Sequence, residues 1–194
     1  MQVVEGLYLL KEGKVIRSND VILYASSASV LIIAEFPVIV DTAMPEDWGT
    51  IEKSLRNAGV RSDEVKMVIN THLHSDHMGC NGKFKAEKYA HGKEIAREGM
   101  KGIIPLDICR PFCDRVKIIE TPGHTDGHIS VVFESNEVAV IAGDAIPTYD
   151  NYLKRVPPRI NIDAALAMRS FERIEKIADI VIPGHDRAFR VNRG

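Results

Sequence analysis

An apolar run, Val65-Lys66-Met67-Val68-Ile69-Asn70, feeds directly into Thr71-His72-Leu73-His74-Ser75-Asp76-His77, and this junction limits the chain more than any other feature. Four potential metal ligands fall within six residues, a density that a solvated surface loop does not need. His72 and His74 stand two apart and can point the same way, while Asp76 and His77 reach a second point beyond them. The layout suits two adjacent cations better than one. Donors without thiolate favour zinc, with iron or manganese as the other occupants to consider.

Two ions need more ligands than one loop holds, and the same grammar recurs downstream. An apolar strand, a kinking Gly or Pro and then a ligand describe Val116 to Ile119 before Pro122-Gly123-His124, Val138 to Ala142 before Gly143-Asp144, and Ile180 to Ile182 before Pro183-Gly184-His185. Glycine and proline turn the backbone sharply enough for one side chain to face a shared centre.

With those positions in place, His72-x-His74-x-Asp76-His77, His124, Asp144 and His185 resemble the ligand set of the metallo-beta-lactamase-fold hydrolase superfamily over nearly the whole chain. The resemblance implies that His72, His74 and His124 hold a first metal, that Asp76, His77 and His185 hold a second, and that Asp144 bridges them. Val40-Asp41-Thr42 resembles the superfamily's early Asp, which supports the metal loop from behind, with Ala43 standing where glycine is usual. The segment from Gly143 to His185 is similar to that of acyl-homoserine lactonases, but Pro147 stands where those enzymes carry a tyrosine.

The expected chemistry follows from two cations roughly 3.5 to 4 Å apart sharing a water, whose pKa such a pair lowers toward about 7. The bridging hydroxide attacks a small ester, lactone or thioester, with Asp76 and Asp144 as the catalytic carboxylates: Asp76 moves the proton and Asp144 sets the spacing of the metals. No Ser or Cys nucleophile has a base beside it in sequence, and Ser75 reads as a small residue that permits a turn. Two other readings stay open. One is a mononuclear iron enzyme resembling persulfide dioxygenases, with His72, His124 and Asp144 as ligands. The other is a metal-holding module without turnover.

Composition narrows the setting. A chain of 194 residues fits one domain over residues 1–194, able to bury on the order of 70% of its unfolded surface. With 25 basic and 27 acidic residues and a net charge of -2, it offers no electrostatic footprint for nucleic acid, so the expected partner is a small-molecule substrate. Three cysteines, Cys80, Cys109 and Cys113, do not make a disulfide framework, and no basic region precedes an apolar core at the start; the expected place is the cytoplasm. The most apolar stretch, Val30 to Val40, is broken by Glu35 and Pro37 and is too short to span a bilayer, so no membrane role is expected. A homodimer is left open.

The expected fold class is α+β, a four-layer αβ/βα sandwich. Val3 to Leu10, Lys14 to Arg17, Val21 to Tyr24 and Val30 to Val40 read as a strand meander forming half of a core. Trp48, Ile51, Leu55 and Ala58 mark one face of a helix over Pro45 to Ala58. Ala86 to Ala90 reads as a short strand, His91 to Met100 as a short helix and Lys101 to Asp114 as a surface loop near the site. Ile129 to Glu134 and Val138 to Ala142 form a hairpin through Ser135-Asn136-Glu137, and Ile146 to Ile160 reads as a polar, proline-bearing connection. A second helix spans Asp163 to Ala178 with Asp163 as its N-cap, and Ile180 to Ile182 and Phe189 to Val191 close the chain as strands. His91 reads as exposed and His128 as a strand-end histidine that could also back a ligand or bind substrate. Cys109 and Cys113 read as free or buried thiols, and Tyr149 and Tyr152 either as substrate-contacting hydroxyls or as loop aromatics.

Overall fold

The computed structural model describes residues 1–19, 21–109 and 113–192. The N-terminal half contributes strands β1 (Gln2–Val4), β2 (Leu7–Lys11), β3 (Lys14–Ser18), β4 (Val21–Ser26), β5 (Ser29–Ile33), β6 (Pro37–Val40), β7 (Met67–Ile69), β8 (Glu87–Ala90) and β9 (Ile103–Pro105), with helices α1 (Trp48–Asn57), α2 (Ser75–Met78) and α3 (Gly92–Glu98). The C-terminal half contributes β10 (Val116–Glu120), β11 (Ile129–Glu134), β12 (Val138–Gly143), α4 (Tyr149–Lys154), α5 (Ala164–Ile177), β13 (Ile180–Pro183) and β14 (Phe189–Arg190). A seven-stranded sheet in the order β1-β2-β5-β6-β7-β8-β9 faces a five-stranded sheet in the order β10-β11-β12-β13-β14.

Period-2 alternation builds the layers. Val30 and Ile32 of β5 point between the sheets, where they meet Val131, Phe133, Ile141 and Ile182 of the second sheet. Leu31 and Ile39 point the other way, onto Ile51 and Leu55 of α1. On the far side of the second sheet Val132, Val140 and Val181 pack against Phe171 and Ile174 of α5. The result is the expected sandwich of helix, sheet, sheet and helix. The second helix starts as anticipated, with the Asp163 carboxylate accepting the Leu166 N–H at 2.9 Å.

Strands β6, β7 and β8 run parallel, as do β12 and β13. Parallel strands end on the same side of a sheet, and ligand sites form outside such carboxyl ends. The ends of β7, β12 and β13 therefore place the loop 71–77, Asp144 and His185 within reach of one another.

Several expectations need correction. Val3 to Leu10 is two antiparallel strands, because Gly6 at φ +86° turns the chain between β1 and β2. Val30 to Val40 is likewise a hairpin, β5 and β6, bent over Ala34-Glu35-Phe36. β3 and β4 leave the sandwich as a separate two-stranded ribbon instead of extending the meander. The motif loop is helical at its end, since α2 begins at Ser75. Within Lys101 to Asp114 the residues Ile103–Pro105 form β9, pairing parallel to β8 at the sheet's outer edge rather than sitting as a loop beside the site; residues 110–112 lie outside the described ones. The connection from Ile146 to Ile160 contains α4, capped by Thr148, whose hydroxyl oxygen accepts the Asn151 N–H at 3.2 Å. A helix of 6 residues is too short to leave a readable hydrophobic period.

Candidate metal centre

The two halves of the sandwich converge where the sequence placed the donors. Three ring nitrogens form a tight triangle: His72 Nε2 lies 2.9 Å from His74 Nδ1, and His124 Nε2 lies 3.2 Å and 3.1 Å from those two. His124 Nδ1–H donates to the Ile160 carbonyl at 2.6 Å, so the nitrogen in the triangle carries the lone pair. With His72 and His74 in the matching tautomers, the three lone pairs would face one another and repel unless a cation lay among them. Zinc with nitrogen ligands at about 2.0 to 2.1 Å has a tetrahedral edge of about 3.3 Å, close to these separations.

A second group lies beside the first. One donor atom each from Asp76, His77 and His185 falls within 4.8 Å of the others. His77 Nδ1–H donates to Asp41 Oδ2 at 2.8 Å and His185 Nδ1–H donates to the Ser26 carbonyl at 3.2 Å, leaving both Nε2 atoms to face inward. Asp144 stands between the groups. Its Oδ1 is 3.1 Å from His185 Nε2 and 3.4 Å from His77 Nε2, and its Oδ2 is 3.5 Å from His124 Nε2.

The residues fit divalent metal. Among the described residues His77 Nε2 and Asp144 Oδ1 are buried and have no hydrogen-bond partner, a costly state for polar atoms that ligation would relieve. Space is reserved around them as well: a Cβ on Gly184 would run into Asp144 Oδ1 and push that carboxylate aside. Every predicted ligand, His72, His74, Asp76, His77, His124, Asp144 and His185, thus belongs to one constellation.

The surroundings tune these groups in opposite senses. Burial, reinforced by neighbouring imidazoles, holds His72 well below the ordinary imidazole value and lowers His74. Burial also disfavours a charged His77 or His185, but Asp41 and Asp144 outweigh it at His77, and Asp144 outweighs it at His185; both are raised. Burial works against an ionised Asp144 too, yet His185 and His77 hold its carboxyl well below the usual range.

Asp41 supports the loop as anticipated. Its Oδ1 accepts the Thr71 N–H and its Oδ2 accepts the Thr71 hydroxyl, both at 2.8 Å. Of the readings open for His128, the structure takes the one in which it backs a predicted ligand: it is buried, its Nε2 accepts the Asp144 N–H at 3.0 Å, and its Nδ1–H donates to Thr121 Oγ1 at 2.9 Å. The sequence signal was there in its spacing, four after His124, but its partner lies across two strands. His91 is not exposed; its Nδ1 accepts the Lys93 N–H at 3.1 Å and caps α3, while its Nε2 lies 3.2 Å from Glu120. Cys109 is an exposed and Cys113 a buried free thiol.

A cleft of about 460 Å³ opens over the metal ligands, walled by Val15, Ile22 and Tyr24 of the β3–β4 ribbon on one bank and by Pro147, Pro158 and Ile160 on the other. Tyr149 and Tyr152 are not on it. Tyr152 is buried, with its ring centroid 4.7 Å from that of Phe189 and its hydroxyl oxygen accepting the Asn192 N–H at 3.0 Å; Tyr149 packs on the same phenylalanine. Tyr24 is the tyrosine that faces the cleft.

Fold and site together define a class, and comparison with known sequences agrees: the profile of the metallo-beta-lactamase superfamily matches residues 22–103 and 101–185, and the chain belongs to that superfamily. Among individual proteins, it is 41% identical over 181 residues to a probable metallo-hydrolase of Methanocaldococcus jannaschii, covering 92% of this chain and 85% of that one. It is 30% identical over 197 residues to metallo-beta-lactamase domain-containing protein 1 of Xenopus laevis, covering 96% of this chain and 82% of that one. A variant of the Bacillus thuringiensis N-acyl homoserine lactonase, crystallised with N-decanoyl-L-homoserine at its active site, superposes with a TM-score of 0.72 at 24% identity, covering 93% of this chain and 92% of that one.

Proposed function

We propose that the protein is a hydrolase that holds two divalent metal ions, zinc first among the candidates, and cleaves a small ester, lactone or thioester. The observation that carries this reading is the position of Asp144, one oxygen of which faces His124 while the other faces His77 and His185. His72, His74 and His124 would hold one ion, and Asp76, His77 and His185 the other. When bound, such a pair supplies an activated water and an electrophilic contact for the scissile carbonyl.

The chain's own residues do the rest. Asp144 fixes the separation of the two groups, and the hydrogen bond from its backbone N–H to His128 holds it in place. Asp76, whose side chain is 18% exposed and lines the cleft, is positioned to accept a proton from the attacking water and return it to the leaving group. Val15, Ile22, Pro147 and Ile160 exclude water beside the acyl portion of the substrate. Likeness to the lactonases supports an acyl-oxygen substrate, although Pro147 fills the place of their tyrosine.

Elemental analysis of purified protein, followed by assay of aryl esters, lactones and thioesters with and without chelator, tests the proposal. Two divalent ions per chain and chelator-sensitive turnover support it. One iron per chain with sulfur-dependent oxygen uptake would replace it with the single-iron reading. Fully metallated protein inert to the whole panel would leave a binding module.

A further inference from the structure

Glu94 is a carboxylate with no place in the chemistry above, yet it is 1% exposed. It occupies the third position of α3 after the His91 cap, from which a glutamate commonly reaches back to its own cap. Here it reaches away from its helix. Its Oε2 accepts the Leu73 N–H at 3.2 Å and its Oε1 accepts the Gly127 N–H at 3.2 Å, while Arg97 Nη2 donates to Oε2 at 3.0 Å. A pairing with Arg97 alone would need no burial, since such helix pairs form readily in water. Burying the charge is costly, and the two backbone amides from separate loops offset the cost together with Arg97.

The identity of those loops matters. Leu73 stands between His72 and His74, and Gly127 lies in the turn that joins His124 to His128. The three imidazoles of the tight triangle therefore come from two segments that one carboxylate ties together. Gly127 is fitted to the same contact: a Cβ there would lie 2.8 Å from the Glu94 backbone nitrogen, 2.9 Å from its Cγ and 3.0 Å from His91 Nδ1. His77 and His185 are anchored elsewhere, by Asp41 and by the Ser26 carbonyl.

We propose that Glu94 is a positioning residue that staples the loop of His72 and His74 to the loop of His124, holding the three nitrogens at ligation distance before an ion arrives. The inference rests on reading those histidines as a metal site and not on the hydrolysis. Its consequence is selectivity between the two sites: the staple acts on the triangle and leaves the group of Asp76, His77 and His185 to its own supports.

The test is stepwise titration of metal-free full-length protein with zinc against a chromophoric chelator, with His74→Ala and His185→Ala marking which step belongs to which group. Glu94→Ala is expected to weaken the triangle's zinc affinity about 10- to 100-fold and to change the other step by no more than about twofold. Glu94→Gln, which keeps the shape but offers one accepting oxygen, is expected to fall between Glu94→Ala and wild type. In metal-free protein, amide hydrogen exchange at Leu73 and Gly127 is expected to speed up in Glu94→Ala while the strands of both sheets keep their protection. Equal weakening of both steps together with loss of strand protection would make Glu94 a general structural residue and overturn the proposal, as would unchanged affinity at the triangle in both variants. Wild-type protein that takes up no zinc at the triangle overturns this inference and the hydrolase reading together; loaded but inactive wild type overturns the hydrolase reading alone.

Discussion

The two ligand groups differ in how they are assembled. His72, His74 and His124 contribute imidazoles whose ring nitrogens lie within 3.2 Å of one another, with a threonine hydroxyl and a backbone carbonyl behind them. The other group is wider and charged: His77 is backed by the Asp41 carboxylate, and Asp76 supplies a carboxylate of its own. The contrast shows two routes to the same end. Under the proposed function, one group relies on closely packed imidazoles and the other on negative charge to attract a cation, with Asp144 between the two.

The largest effect is expected where the distinction collapses. Asp144→Ala removes the ligand proposed to be shared and should lose metal at one or both groups and abolish turnover, read by elemental analysis and assay of the same preparation. His91→Ala serves as its control: metal and turnover should persist while the loss of the α3 cap costs about 0.5 to 2 kcal/mol in denaturant unfolding. Equal turnover in the two variants would break the assignment of the site. Next in size, Asp41→Asn should weaken metal at the His77 group about 10- to 100-fold and the triangle less, since Asp41 also steadies Thr71; equal loss at both would erase the proposed difference between charge and packing.

Acidification should separate the groups again. A metal displaces the proton from an imidazole, so affinity falls as pH drops below that imidazole's pKa. Against the opposing effect of burial, the carboxylates Asp41 and Asp144 raise His77, and Asp144 raises His185, whereas burial lowers His72 and His74. The carboxylate-rich group should therefore release its ion at a higher pH than the triangle, as followed by metal content after dialysis across a pH series. Simultaneous release would count against it. The smallest change concerns Ala43, buried at φ +55°. Replacement by glycine relieves about 1 kcal/mol of left-handed strain but gives up about 0.8 kcal/mol of methyl burial, so Ala43→Gly should leave the unfolding midpoint nearly where it was.

Much of the centre was legible because its signals are local. Strand, kink and ligand occupy a few adjacent residues at Gly123-His124, Gly143-Asp144 and Gly184-His185, and the structure brings all three to the motif of Thr71 to His77. What the sequence left open or missed depends on partners far along the chain. His128 meets the Asp144 N–H 16 residues away, and Glu94 meets Leu73 and Gly127 at separations of 21 and 33. Neither pairing leaves a trace in hydropathy. The β3–β4 ribbon escaped for another reason: its apolar residues read like core strands, yet Ile16, Val21 and Leu23 are exposed. Alternation reveals that a strand has two faces without saying which sheet, if any, will pair with it.

That ribbon has one more implication. Its base at Ser26 and Ser27 is fastened to the centre, through the Ser26 carbonyl at His185 and the Ser27 N–H donated to the Asp76 carbonyl at 2.9 Å. Its tip, among the described residues, shares no ladder with either large sheet. Beyond those bonds and its contacts with α2, the ribbon pairs only with itself among the described residues, so under the proposed function a lineage carrying this scaffold could change the residues of this wall, and with them the substrate, while the ligand groups stay the same.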